Sequence, residues 1–184
     1  YTGLAAVTAF AIGATGAWAQ DTIKIGNIVA TAGFLKSAAE PTVVAVDLAV
    51  EEINAAGGIN GKMIELFRYD TSSDPKQAAV AARSLAQDDE VLAIVGPFSS
   101  GEAKVALNVA ERMKTLMMPT SSSAPGLSEG LRYGWRLTED EQKQFSRLLK
   151  VLKENDVPME TAEIVYISEE VVSNSAGTKL YPAL

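Results

Sequence analysis

Six residues in two short loops carry the most suggestive chemistry of this chain: Phe98, Ser99 and Ser100 in one, Ser121, Ser122 and Ser123 in the other. The loops read Gly96-Pro97-Phe98-Ser99-Ser100-Gly101 and Pro119-Thr120-Ser121-Ser122-Ser123-Ala124-Pro125. Neither contains His, Cys or Lys. Hydroxyls and free backbone N–H groups, with no base beside them, suit holding a small anion rather than cleaving a bond. If Ser99 or Ser100 opens a helix, the first turn adds four N–H groups without internal partners and the positive end of the helix dipole. A carboxylate fits such a place. The plain alternative for the first loop is a serine that only caps its own helix. Three serines between two prolines cannot all be caps, and the prolines lower the loop's entropy, which favours a preformed site.

Magnitudes limit what such a site does alone. Hydrogen bonds to a charged group contribute roughly 1.5–3 kcal/mol each, and burying a carboxylate costs several kcal/mol. Three or four donors leave a modest surplus, so tight binding calls for a second wall that closes over the ligand.

Several activities are excluded or disfavoured by what is missing. The chain has no His and no Cys, which removes imidazole bases, thiolate nucleophiles, disulfides and the usual zinc sites. Gly96 to Gly101 spells G-x-x-S-S-G, not the G-x-S-x-G of a nucleophile elbow, so a serine hydrolase is a distant reading. No phosphate-cradling glycine loop is present. Asp70 and Asp74 flank a polar turn, but Asp74 before Pro75 reads as a helix cap, not a calcium ligand. No cofactor and no metal is expected. The net charge of -7 argues against nucleic acid, whose phosphates demand a basic face. Charged residues at 21% and hydrophobic residues at 47% are ordinary for a globular fold.

The elements that must position the loops follow from apolar patterning. Ile23 to Val29, Met63 to Tyr69, Val91 to Val95 and Leu116 to Met118 read as strands. Between them lie helical patterns. Pro41 opens one with the face Val46, Ala49, Val50, Ile53, stopped by Gly57-Gly58. Asp74-Pro75 opens another with the face Ala78, Ala81, Ala82, Leu85. A third buries Ala106, Val109, Ala110 and Met113. Single helices between strands, without hairpin signals, give right-handed βαβ units and a parallel sheet. Both serine loops then fall at the carboxyl edge of that sheet, the usual ligand crevice. Further on, Thr138-Glu139-Asp140-Glu141 reads as a capping box before a helix whose face is Phe145, Leu148, Leu149 and Leu152. Ile164 to Ile167 reads as another strand and Glu169 to Leu184 as another helix. One strand and two helices cannot complete a sheet, so this second unit is expected to be incomplete.

The first twenty residues carry no charged side chain and end Ala17-Trp18-Ala19 before Gln20-Asp21. That is the small-x-small pattern of a secretory signal, with cleavage after Ala19. The expected organisation is therefore 1–19 signal, shortened at its start, 20–137 a first ligand-binding lobe, and 138–184 the beginning of a second.

Five stretches in order carry a family resemblance: Ile23-Lys24-Ile25-Gly26, Glu52 to Gly61, Tyr69-Asp70 with Asp74-Pro75, Val95 to Gly101, and Ser121 to Pro125. Over Asp21 to Leu184 the chain resembles the branched-chain amino-acid type of periplasmic substrate-binding proteins of ABC transporters. The resemblance implies the type I periplasmic-binding-protein fold, an α/β design with a Rossmann-like parallel-sheet lobe and a second lobe that closes on ligand about a hinge. It implies a periplasmic monomer that delivers an amino acid or related carboxylate to an inner-membrane permease, without catalysis. It further implies that Ser100 and Ser123 hold the ligand's carboxylate, that the Ser121 carbonyl takes its amino group, and that Phe98 and Ser122 line the same wall. An acid at Glu141 or Asp140 sometimes assists. Two pocket tyrosines of the family fall near Ala38 and Ser173-Asn174, which leaves the side-chain specificity open. A ligand-sensing receptor ectodomain of the same fold is the alternative; a transcriptional regulator would need a helix-turn-helix that the chain lacks.

Overall fold

Alternating apolar runs and helical patterns become four strands and four helices in the computed structural model, which describes residues 21–158, 161, 163–168, 173, 174 and 176–180. In chain order these are β1 (Ile23–Val29), α1 (Lys36–Ala55), β2 (Ile64–Asp70), α2 (Pro75–Gln87), β3 (Ala93–Val95), α3 (Ser100–Met113), β4 (Leu116–Met118) and α4 (Glu141–Glu154). The strands pair in the order β2-β1-β3-β4, all parallel, as the single-helix crossovers require.

Register decides which side chains share a face. Ile25 lies opposite Leu66 and Ala93, so Gly26, Ile28, Tyr69, Ile94 and Met117 point to the other side. There they meet α2 and α3: Ala78, Ala82, Leu85, Ala103, Ala106, Leu107 and Ala110 are buried against Ile28, Ile94 and Met117. The run of alanines lets both helices lie close. Gly26 takes this to its limit, since a Cβ there would stand 2.9 Å from Leu85 Cδ1.

The opposite face is covered less well. In α1, Val46, Val50 and Ile53 are half-buried and Ala49 is exposed. Between α1 and the sheet runs an apolar cleft of about 490 Å³, walled by Ile25, Leu66 and Val95 below and Val46, Val50 and Ile53 above. A polar chain bridges the same face: Asn27 donates to the Val95 carbonyl (3.1 Å), Arg68 donates to Asn27 Oδ1 (2.9 Å), and Arg68 pairs with Asp47 of α1.

The outer edge of β4 is not left bare. Met117 N–H donates to the Tyr133 carbonyl (2.8 Å) and Trp135 N–H to the Met117 carbonyl (2.9 Å), so residues 133–135 run alongside as a parallel bridge. Covering an edge this way blunts it against strange strands.

Several expectations are corrected. Helix α1 begins at Lys36, not Pro41, and Pro41 sits inside it. Strand β2 is shifted by one residue and β3 is shorter, starting at Ala93; Leu92 is 69% exposed. The capping box at Thr138 does not form. Asp140 is the cap of α4, accepting from Gln142 N–H (2.9 Å), while Thr138 donates instead to the Thr120 carbonyl (3.1 Å). A carboxylate already fixed by Arg136 outcompetes a hydroxyl for that position. Of the α4 face, Phe145, Leu149 and Leu152 are half-buried and Leu148 is exposed. Ile164 to Ile167 forms no strand: it has no pairing partner among the described residues and its side chains are largely exposed. Of the helix expected over 169–184, only 173, 174 and a π-helical turn at Ala176–Leu180 are described. The proposed signal, 1–19, lies outside the described residues.

Candidate functional site

Strand order places the crevice. From β1 the chain crosses to β2 on one side, and from β2 it crosses over to β3 on the other. The connections therefore diverge between β1 and β3, the switch point where open parallel sheets receive ligands at their carboxyl ends. The loops after β1, β3 and β4 meet there.

Gly96 starts the β3 loop with φ of 97° and presses against β1; a Cβ would lie 2.1 Å from the Ile28 carbonyl oxygen. Only glycine satisfies both demands. Ser99 then caps α3 by accepting from Glu102 N–H (3.3 Å). Glu102 is 1% exposed, and its carboxylate accepts from Ser99 Oγ (2.8 Å) and from Thr71 Oγ1 in the β2 loop. The acid thus ties two loops at the positive end of α3, where its charge is favoured.

The two serine loops are joined to each other. Thr120 N–H donates to the Pro97 carbonyl (3.1 Å), Ser122 Oγ to the Phe98 carbonyl (3.2 Å), and Ala124 N–H to Ser100 Oγ (3.1 Å). Ser100 and Ser122 are buried by these contacts, Phe98, Ser99 and Ser123 are half-buried, and Ser121 is exposed. All six predicted residues are therefore brought to one place, but in different settings. Among the described residues, the backbone N–H groups of Ser121, Ser122 and Ser123 have no partner, nor do those of Ser100 and Gly101 in the first turn of α3. Unpaired N–H donors from two loops at one strand edge make a place for an anion.

The segment before α4 grips the far side of the β4 loop. Arg136 Nη1 donates to the Ala124 carbonyl (2.7 Å), Glu141 N–H to the Ser123 carbonyl (3.0 Å), and Ser123 Oγ contacts Glu141 Oε2 at 3.4 Å. The guanidinium also pairs with Asp140 (3.0 Å), both side chains mostly buried. Burial alone would raise the Asp140 pKa. Hydrogen bonds from Arg136 and Gln142 N–H, with the Arg136 charge, outweigh it and hold the carboxyl below its usual value. Asp70 is likewise lowered: desolvation opposes the shift, and the Thr31 hydroxyl with the Ser72 and Thr31 N–H groups overrides it. That cluster fixes the β1 loop on the β2 loop.

Sequence reasoning missed Arg136, Glu102 and Thr71, and gave Thr138 a different role, that of a helix cap. Two had readable signals. Ser99 and Glu102 have capping-box spacing, and Arg136 stands four residues before Asp140, the distance of a helical ion pair. The contacts of Thr71 and Thr138 depend on chain crossings that no local pattern shows.

A parallel α/β lobe with loops gathered at its switch point fits a periplasmic binding protein, and the chain belongs to that family, whose model matches residues 22–167. Among its relatives is the chemotactic signal transduction system substrate-binding protein BasB of Halobacterium salinarum, 33% identical over 146 residues, covering 76% of this chain and 34% of that protein. The leucine-, isoleucine-, valine-, threonine- and alanine-binding protein of Pseudomonas aeruginosa is 34% identical over 110 residues, 60% of this chain and 29% of that one. Among solved structures, the branched-chain amino acid transporter substrate-binding protein LivJ of Streptococcus pneumoniae, in complex with isoleucine, superposes with a TM-score of 0.65 at 34% identity. That match covers 66% of this chain and 35% of the other. The chain thus spans about a third of the length of these relatives.

Proposed function

We propose that the chain supplies one wall of an extracytoplasmic solute receptor, which takes a small amino acid or related carboxylate between two lobes and delivers it to an ABC permease. One observation carries this reading: two serine loops, stitched together at the switch point, present several unpaired backbone N–H groups on one edge. In this reading the Ser121, Ser123, Phe98 and Ser99 surfaces meet the ligand, while Ser100 and Ser122 hold the loops and line the wall from behind. No group here suits bond cleavage; capture and release are lobe motions biased by contacts on both walls. Residues 20–137 form the first lobe, 138–184 begin the second, and 1–19 direct export. The receptor acts as a monomer in the periplasm.

The likeness to BasB, a substrate-binding protein of a chemotactic signal transduction system, favours a second reading, in which the loaded receptor engages a signalling partner instead of a permease. The ligand wall is the same in both.

Calorimetry on the full polypeptide carrying this chain, with L-leucine and L-alanine as probes, tests the wall. Ser123→Ala should weaken binding about tenfold with little change in melting temperature, the effect of one charge-assisted hydrogen bond. Ser100→Ala should weaken binding and also lower stability, because it leaves Ala124 N–H buried without a partner. Wild-type affinity in both variants would overturn the assignment.

A further inference from the structure

Among the described residues, the carbonyls that the β4 loop gives to later parts of the chain go the same way. Thr120, Ser123 and Ala124 carbonyls accept from Thr138 Oγ1, Glu141 N–H and Arg136 Nη1, all within the short stretch 136–141. In a trans peptide the N–H of the next residue points opposite to the carbonyl. The Ser123 peptide displays the rule: its carbonyl faces Glu141 and the Ala124 N–H faces Ser100 on the β3 loop. By the same geometry the Thr120 carbonyl, held by Thr138, turns Ser121 N–H away from the stretch 136–141. That N–H has no partner among the described residues.

From this we infer that Thr138 is a positioning residue, which orients the Thr120–Ser121 peptide so that the Ser121 N–H is offered to the carboxylate of a bound ligand. The inference rests on the proposed ligand wall and adds to it a residue outside both loops. Arg136 is held by the Ala124 carbonyl and by Asp140, which keeps its charge on the far side of the loop. Anion selectivity at this wall then comes from backbone orientation, without a basic side chain touching the ligand.

Two variants of the full polypeptide test this. Thr138→Val keeps the β-branched shape and removes the donor; Thr138→Ser keeps the donor. L-Leucine and leucinol, which lacks the carboxylate, serve as calorimetric probes. Thr138→Val should weaken L-leucine binding about tenfold, the effect of one hydrogen bond to a charged group. It should leave leucinol nearly unchanged, and Thr138→Ser should restore L-leucine binding to within about threefold. An equal loss for both probes would mean general loosening and would overturn the inference, as would unchanged L-leucine binding. The Ser121 amide resonance of the unliganded protein gives a readout independent of any ligand: it should shift in Thr138→Val and return in Thr138→Ser. If it stays fixed, the inference fails. If wild type binds neither probe while the resonance moves as expected, the proposed ligand class fails and the positioning role stands.

Discussion

At the scale of single residues, the polar side chains of the site divide into those that hold the loops and those left with accessible surface. Asp140 belongs to the first group, and its charge is what the pairing with Arg136 uses. Its carboxyl is held below its ordinary value of 3.8. A lowered acid contributes stability that is fully present above its unfolded pKa and lost as pH falls through the folded one. Asp140→Asn keeps a good helix cap and removes the charge. Thermal melts should therefore show the wild type more stable than the variant at pH 6, with the gap shrinking below about pH 4. A gap independent of pH would argue against the ion pair. That the six candidate residues gather in one place was legible because five are serines concentrated between prolines and glycines, a compositional signal visible in one dimension. Which hydroxyl faces solvent was not legible: Ser100 and Ser121 differ in burial only through the other loop and the segment at 136–141.

Among the elements, α2 shows what local sequence specifies well. Asp74 accepts from Lys76 N–H (2.8 Å), Pro75 follows at the first helical position, and all four predicted face residues are buried. Asp74→Ala should lower stability by about 1 kcal/mol, the usual worth of such a cap, read from urea unfolding; a neutral result would mean that tertiary packing alone sets the helix start. Helix α1 shows the reverse. Pro41 suits a first turn, yet the chain enters the helix five residues earlier because Ser73 and the β1 loop fix its approach: Leu35 N–H donates to Ser73 Oγ (3.1 Å) and Ser73 Oγ to the Ala32 carbonyl (2.8 Å). The missing proline N–H leaves only the exposed Ser37 carbonyl to water, a small cost for a helix end. Ile164 to Ile167 has strand composition but no pairing strand among the described residues, and strand propensity expresses itself only in a paired, half-buried setting.

For the whole molecule, the two faces of the sheet are unequal. One is packed by α2 and α3; the other holds the apolar cleft under α1. A cleft of about 490 Å³ with an open mouth admits a naphthalene-sized probe. The 184-residue chain should enhance the fluorescence of an anilinonaphthalene dye, as accessible apolar surface does, and Val50→Asp should abolish most of the signal. No enhancement in the folded chain would mean that the cleft closes in solution. The parallel sense of the strands was legible, since single-helix crossovers permit little else; their spatial order was not. The unequal covering was not, because it depends on how far α1 stands from the strands.

The stitching between the β3 and β4 loops has a kinetic side. Three hydrogen bonds made within the chain hold this wall together, so in the proposed receptor an arriving solute would find donors already aimed and freeze few torsions on landing. Encounter then runs near the speed that diffusion and orientation allow, and dwell time is left to whatever closes over the solute. A receptor built this way would change how long it retains a cargo, or which cargo, by substitutions made entirely elsewhere.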